Sequence, residues 1–371
     1  MQRTILTTLA LLLWGLAATA QTDEPLTADQ FVEKGLNAER LGLTELAEGY
    51  YRKASGHPTA DLHLGILLEQ KEYYEEATVL LVRGRDAESQ AHAALCLVER
   101  GLTDSAWHCA ERALEADSGS ALAMTVLAYV ESRRDRHDEA VAWAGRALKA
   151  SPKYARGENV MGYVQYRKGD EGEALRRFKA AVRLDSTLAD AYYNMGVLYC
   201  RRNSGAMAVK VLKEGLRRNP RNIRLYTMLA QAYRQMGDAP RAMECYNQIL
   251  EYDSLHTPTM NRIGTLYCQQ GHYERAIAFH RRALGIRPDD ATAYKYMGKA
   301  YADWGKPEKA IQAFIRSTGL SATDAETYMY LAELYGKQKK GERKQEGAYR
   351  KAARLGEREA QAWLVKRGLT W

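Results

Sequence analysis

The chain has 371 residues, with 54 Lys or Arg against 46 Asp or Glu for a formal net charge of +8, and 46% hydrophobic residues. That apolar content suffices for a buried core and is too high for an intrinsically disordered chain. The charge is striped: residues 21–150 carry −9, 151–235 carry +10, 236–336 carry −1 and 337–371 carry +7, a pattern expected to steer an acidic partner to the middle and the C-terminal end.

In chain order, Arg3 is followed by an apolar run from Ile5 to Ala18 and then by Ala18-Thr19-Ala20 before Gln21. This is the order of a secretory signal peptide over residues 1–20, cleaved near Ala20, and the run is short for a bilayer span. No cysteine follows the cleavage position, so no bacterial lipid anchor is expected. The mature chain is expected to be exported, periplasmic or extracellular. Residues 21–27, with Asp23, Glu24 and Pro25, are expected to be a flexible leader. No later segment is apolar enough for a membrane.

From Ala94 onward a small residue recurs every 34 positions: Ala94, Ala128, Gly162, Gly196, Ala230, Gly264, Gly298 and Ala332. A fixed period of this length is the mark of a stacked repeat. Around Gly264, Met260, Ile263 and Tyr267 fall at helical spacing on one face, here called helix A. Gly271 ends it, and Ala276, His280, Ala283 and Leu284 repeat the spacing on a second helix, B. Each unit is therefore expected to be an antiparallel hairpin. A helix B alanine follows the first seven of these small residues by 12 positions, at Ala106, Ala140, Ala174, Ala208, Ala242, Ala276 and Ala310. Small residues let the two backbones approach, and tyrosines such as Tyr192, Tyr199, Tyr226, Tyr233 and Tyr267 fill the remaining volume.

In these residues the chain resembles the tetratricopeptide repeat, down to Met195-Gly196-Val197-Leu198-Tyr199. Gly65 with Ala77, and Gly35 with Ala47 and Tyr51, extend the register backwards as two shortened units over 28–93, ahead of eight units over 94–356 and a capping helix over 357–371 that turns Trp363 and Leu364 inward. The resemblance implies an all-α α-solenoid, a right-handed superhelix of about ten helix-turn-helix repeats. Three departures stand out. Gln165 replaces a tyrosine, Asn203 replaces the loop glycine, and the spacing from Ala348 to Trp363 is closer to the related Sel1-like repeat.

Relative to each helix A small residue, the positions six, three and two before and one, four and five after are expected to face away from helix B. The resemblance implies that this face lines a concave groove that holds an extended peptide or a partner helix. In the basic middle it reads Arg156, Asn159, Tyr163, Tyr166, Arg167, Tyr193, Asn194, Arg201, Arg224, Gln231, Arg234 and Gln235, then Asn261, Arg262 and Gln269, then Lys295, Tyr296 and Lys299. Amides pair with an extended backbone, arginine forks with carboxylates, and tyrosine offers flat area at low entropic cost. The expected partner is a protein or peptide of acidic character. One subclass of the family clamps C-terminal carboxylates, and Asn159, Asn194 and Arg224 fall at corresponding places, but Tyr163 and Met228 break that match.

No P-loop, nucleophile elbow, dinucleotide-binding glycine motif or H-E-x-x-H is present, so no cofactor and no catalytic role are expected. A metal-dependent enzyme is the least favoured reading, because among His92, Cys96, His108 and Cys109 the last two diverge by about 100° on their helix. Of five cysteines, Cys200 and Cys268 lie two units apart and cannot pair. Cys96 and Cys109 sit on the two helices of one hairpin, within reach of a disulfide or as small apolar fillers. Nucleic acid is not expected as a partner of an exported protein. The basic end, including Lys337, Lys339, Lys340, Arg343 and Lys344, supplies an alternative: a regulatory or assembly subunit that docks peripherally on a membrane-associated complex.

Overall fold

The computed structural model describes residues 26–371 except 72 and 340. The expected signal peptide and most of the leader lie outside the described residues. The described chain is all helix and turn. The odd-numbered members of the series are A helices: α1 (Ala28–Arg40), α3 (Pro58–Gln70), α5 (Ala87–Glu99), α7 (Ala121–Arg133), α9 (Ala155–Lys168), α11 (Ala189–Arg201), α13 (Ile223–Gln235), α15 (Thr257–Gln269), α17 (Ala291–Asp303) and α19 (Ala325–Gly336). Their B partners are α2 (Thr44–Lys53), α4 (Tyr74–Leu81), α6 (Thr103–Ala116), α8 (His137–Ala150), α10 (Glu171–Leu184), α12 (Gly205–Arg218), α14 (Ala239–Tyr252), α16 (Tyr273–Ile286), α18 (Pro307–Leu320) and α20 (Glu342–Arg354). The short α21 (Arg358–Val365) follows, with Leu364 fully buried and Trp363 stacked on Tyr349 at 4.3 Å.

The chain divides into two compact units, one up to Arg177 and one from Phe178. Each is a series of helical pairs packed as in an α-solenoid, A against B and B against the next A, with the A helices of neighbouring pairs also touching at α5–α7, α7–α9, α11–α13 and α15–α17.

The recurring small residue has a specific cause. A side chain on Gly196, Gly264 or Gly298 would meet Leu212, His280 or Phe314 of the facing B helix at 2.7 Å. The bulky partner lies sixteen residues on in every case. At Ala94 and Ala128 the residue sixteen on is itself alanine, Ala110 and Ala144, so a methyl is admitted. The A-to-B turn needs a left-handed residue, supplied by Gly101, Gly237, Gly271 and Gly305 at φ between +73° and +79°. Asp135 at +60° and Asn203 at +55° take the same place, and these two residue types tolerate that region best after glycine.

Candidate peptide-binding face

In the first unit, the A-helix face fills itself. Tyr129 on α7 and Tyr163 on α9 stack at 4.8 Å. Burial, then the neighbouring Tyr163, push the Tyr129 phenol up to about 12. Arg167 donates to Asp135 at 2.6 Å and to the Tyr163 hydroxyl at 3.3 Å. Glu69 at the end of α3 is only 7% exposed, and its two oxygens are held by His92 Nδ1 on α5 at 2.5 Å and by Arg156 on α9 at 3.5 Å. Cys96 lies beside them, its thiol pushed up to about 12 by burial and then by Glu69. Such a thiol stays protonated and inert. Tyr166 is half-buried and engaged.

His108, the other histidine of the sequence cluster, is exposed and pairs with Glu111 of its own helix at 3.5 Å, while His92 is committed to Glu69. The two histidines are thus engaged with different carboxylates. Cys96 and Cys109 are both free thiols, as are the other three cysteines. Cys109 accepts a hydrogen bond from Arg112 at 3.1 Å.

In the second unit, Arg224 on α13 pairs with Asp190 on α11 at 2.8 Å and lies over the Tyr193 ring at 4.9 Å. Lys295 on α17 bridges Asp324 and Glu326 of the next pair, both at 3.0 Å. Burial opposes its charge, yet these two carboxylates hold its pKa above the ordinary lysine value. Lys299 donates to the Tyr330 hydroxyl at 2.8 Å. Gln235 reaches back to the Cys200 carbonyl at 2.9 Å. Asn194 and Arg201 are engaged as well.

Two expected contact residues are corrected by their burial. Asn159 is 6% and Asn261 4% exposed. Both stand three positions before the small residue, which at 100° per residue is only about 60° from it, so they face the helix packing and not solvent. Asn261 accepts from His280 Nδ1 at 3.0 Å and donates to Asp290 at 3.3 Å. His280 is fully buried, stacks against Tyr296 at 6.1 Å and is driven down to about 4 by desolvation, so it is neutral. Tyr296 is therefore a packing partner on at least one face.

What remains is a smaller set. Gln231 and Arg234 on α13 and Arg262 on α15 make no hydrogen bond or ion pair among the described residues, and Gln231 and Arg262 are exposed. The acidic partners Glu69, Asp190, Asp324 and Glu326 were missed by a reading that collected only bases, amides and phenols. Their signal was present: Asp190 and Arg224 hold the same register position in consecutive repeats, 34 residues apart, and Glu326 lies 31 residues after Lys295.

Models of the tetratricopeptide repeat match residues 92–155, 203–258 and 256–321, and a further TPR repeat model matches 162–203. The chain is a tetratricopeptide repeat protein. No curated protein matches it. Among solved structures it is similar to a tetratricopeptide repeat protein from Parabacteroides merdae, at 18% identity and a TM-score of 0.48 over 68% of this chain and 99% of that one. It is similar also to a chain of the APC/C hetero-tetramer Cut9–Hcn1, at 14% identity and a TM-score of 0.46, covering 89% and 94%. YrrB, described as a TPR protein with an unusual peptide-binding site, gives 20% identity and a TM-score of 0.38 over 50% and 95%. Tetratricopeptide repeat proteins bind protein or peptide partners, and this one is a protein-interaction scaffold in that general sense.

Proposed function

We propose that this tetratricopeptide repeat protein is an exported, non-enzymatic scaffold that holds an acidic, extended segment of a partner protein against the A-helix face of its second unit. One observation carries the reading. The other cations described on that face are engaged within the protein, Arg224, Lys295 and Lys299 through carboxylate or phenol partners, whereas Arg234 and Arg262 are left uncompensated beside Gln231. A partner carboxylate supplies the missing acceptor as a charge-assisted bond, and the glutamine amide pairs with an extended backbone. Export is supported by the leader sequence, Ile5 to Ala18 ahead of Ala18-Thr19-Ala20.

Docking through the basic C-terminal end is the weaker reading. Lys344 and Lys351 lie over Tyr335 and Tyr328, and Arg350 bonds Glu346 and the Thr370 carbonyl. Much of that charge already serves internal packing.

Changing Arg234 and Arg262 together to glutamate is expected to weaken capture of partners from the envelope fraction, and binding of a glutamate-rich peptide, at least about tenfold, with far-UV circular dichroism unchanged. Undiminished capture and binding by the folded double variant would overturn the assignment.

A further inference from the structure

Two successive B helices of the second unit carry cations in the same register. On α10, whose residues from Phe178 belong to that unit, Lys179 and Arg183 stand four positions apart. Thirty-four residues on, Lys213 and Arg217 repeat them on α12, joined there by Lys210 and Arg218. All six are exposed. At 100° per residue they point away from the buried stripe of each helix, which is Phe178 and Ala181 on α10 and Ala208, Leu212 and Gly215 on α12.

The charge here is not cancelled from within. Over residues 178–221 nine Lys or Arg stand against three Asp or Glu, and each of the three is already committed. Asp190 pairs with Arg224, Asp185 accepts from Thr187 in its own turn, and Glu214 is shared by Arg217 at 2.8 Å and Arg218 at 3.7 Å. Lys179, Arg183, Lys210 and Lys213 make no hydrogen bond or ion pair among the described residues, and Lys213 only lies over the Tyr233 ring at 5.9 Å. The basic face is bounded, because on α14 the register positions of Lys210 and Arg217 carry Glu244 and Glu251. Among the cations stands Met207, 43% exposed and one turn before Lys210.

We propose that this outer face of α10 and α12 docks on an anionic phospholipid surface. The cations are spread over two helices, so an extended chain lying along one helix meets only one row of them. A lipid surface offers many equivalent, laterally mobile anions and meets both rows together. No aromatic side chain stands among the six cations, so the face lacks the stacking platform that single-stranded nucleic acid uses. Met207 enters the headgroup layer in such a contact, where binding to phosphate alone would leave it in water. Each lysine or arginine close to an anionic surface raises partitioning about fivefold, through an attraction that fades within a Debye length, so docking is peripheral, reversible and sensitive to salt. It uses B helices and does not depend on the segment assigned to Arg234 and Arg262.

The test is co-sedimentation with vesicles of phosphatidylcholine, alone or mixed with phosphatidylglycerol. It uses the chain from Gln21, which keeps every described residue and omits the apolar run Ile5 to Ala18 that would itself enter a bilayer. Binding is expected only with the anionic lipid, and should fall at least about tenfold on raising the salt to about 0.5 M. Lys179, Arg183, Lys210 and Lys213 changed together to glutamine should weaken it at least about a hundredfold, with far-UV circular dichroism unchanged. A control that removes four charges elsewhere, at the exposed Lys337, Lys339, Arg343 and Lys366, should keep binding within about threefold. Equal binding to neutral vesicles, undiminished binding by the first variant, or an equal loss in the control would each overturn the proposal. So would a DNA duplex held more tightly than the vesicles and released by the same four changes. The glutamate-rich peptide should bind the first variant normally, so either reading can fail without the other.

Discussion

The two units solve the same problem differently: what to do with polar side chains on A-helix faces that crowd together as repeats stack. In the first unit the polar groups neutralise one another as charges. A nearly buried Glu69 gathers an imidazole and a guanidinium from two other A helices, and Arg167 answers Asp135. The second unit also pairs charges, Arg224 with Asp190 and Lys295 with Asp324 and Glu326, but its buried Asn261 and His280 are neutral, bonded to an Asp290 that Arg287 answers from the surface, and cations at 234 and 262 are left without counter-charges. Burying an ion demands a partner, whereas a neutral imidazole needs only a hydrogen bond. The lesson is that charge excess along a repeat protein marks a binding face only where the excess survives internal pairing.

The comparison breaks most sharply through one reversal in each unit. Arg156→Glu places a carboxylate toward Glu69, whose surroundings are nearly dry, and is expected to cost about 3–4 kcal/mol, the lower part of the range for breaking a buried pair because Arg156 itself is 31% exposed. Arg262→Glu, at an exposed position, breaks no hydrogen bond or ion pair among the described residues and should shift stability by no more than about 0.5 kcal/mol. Urea titrations of the two variants side by side decide it. Equal midpoints would remove the distinction between a self-neutralised and an open face.

A smaller effect is expected from acid acting on His280 in the second unit. His280 is held near 4 in the folded chain against an ordinary value of 6.5. Its folded-state pKa is depressed, so between about 6.5 and 4 the unfolded chain takes up a proton that the folded chain refuses. Stability therefore falls as pH falls through that window and is not further changed by this group below it. The loss amounts to roughly 2–3 kcal/mol. His280→Phe, which copies Phe314 at the same register against Gly298, should flatten that slope, as the difference between wild-type and variant denaturation midpoints at pH 7 and pH 4.5. An identical slope in the two proteins would mean that the imidazole is not held neutral by burial.

The hairpins, their 34-residue register and the capping helix are legible in the sequence because period and residue size alone determine them. A side chain on Gly298 would strike the Phe314 ring, and Leu364 turns inward over the end that α20 leaves open. The binding face is legible only in part. Gln231, Arg234 and Arg262 emerge from the pattern, but Asn159 and Asn261 are assigned to solvent by a helical wheel that allows too wide an outer arc. Whether Arg224 or Lys295 is free depends on a carboxylate one repeat away, visible only when neighbouring repeats are laid side by side.

The finest contrast lies in the turns. Asp135 and Asn203 occupy the same left-handed position, one in each unit, where other repeats carry glycine. Replacing either by glycine relieves the conformational strain, worth up to about 1 kcal/mol for a residue with a Cβ, and removes a side-chain bond. Asn203 loses an exposed amide contact with Gln235 at 3.2 Å, whereas Asp135 loses its 2.6 Å ion pair with Arg167. Exposed pairs contribute about 0.2–1 kcal/mol, so Asn203→Gly should be stabilising by about 0.5 kcal/mol while Asp135→Gly comes out near zero. Thermal midpoints in low and high salt separate the two contributions: added salt should erase the difference, because only the Asp135 bond is ionic and screened. A difference that persists in high salt would show that the turns differ in backbone strain, and not in the charge pairing that sets the first unit apart.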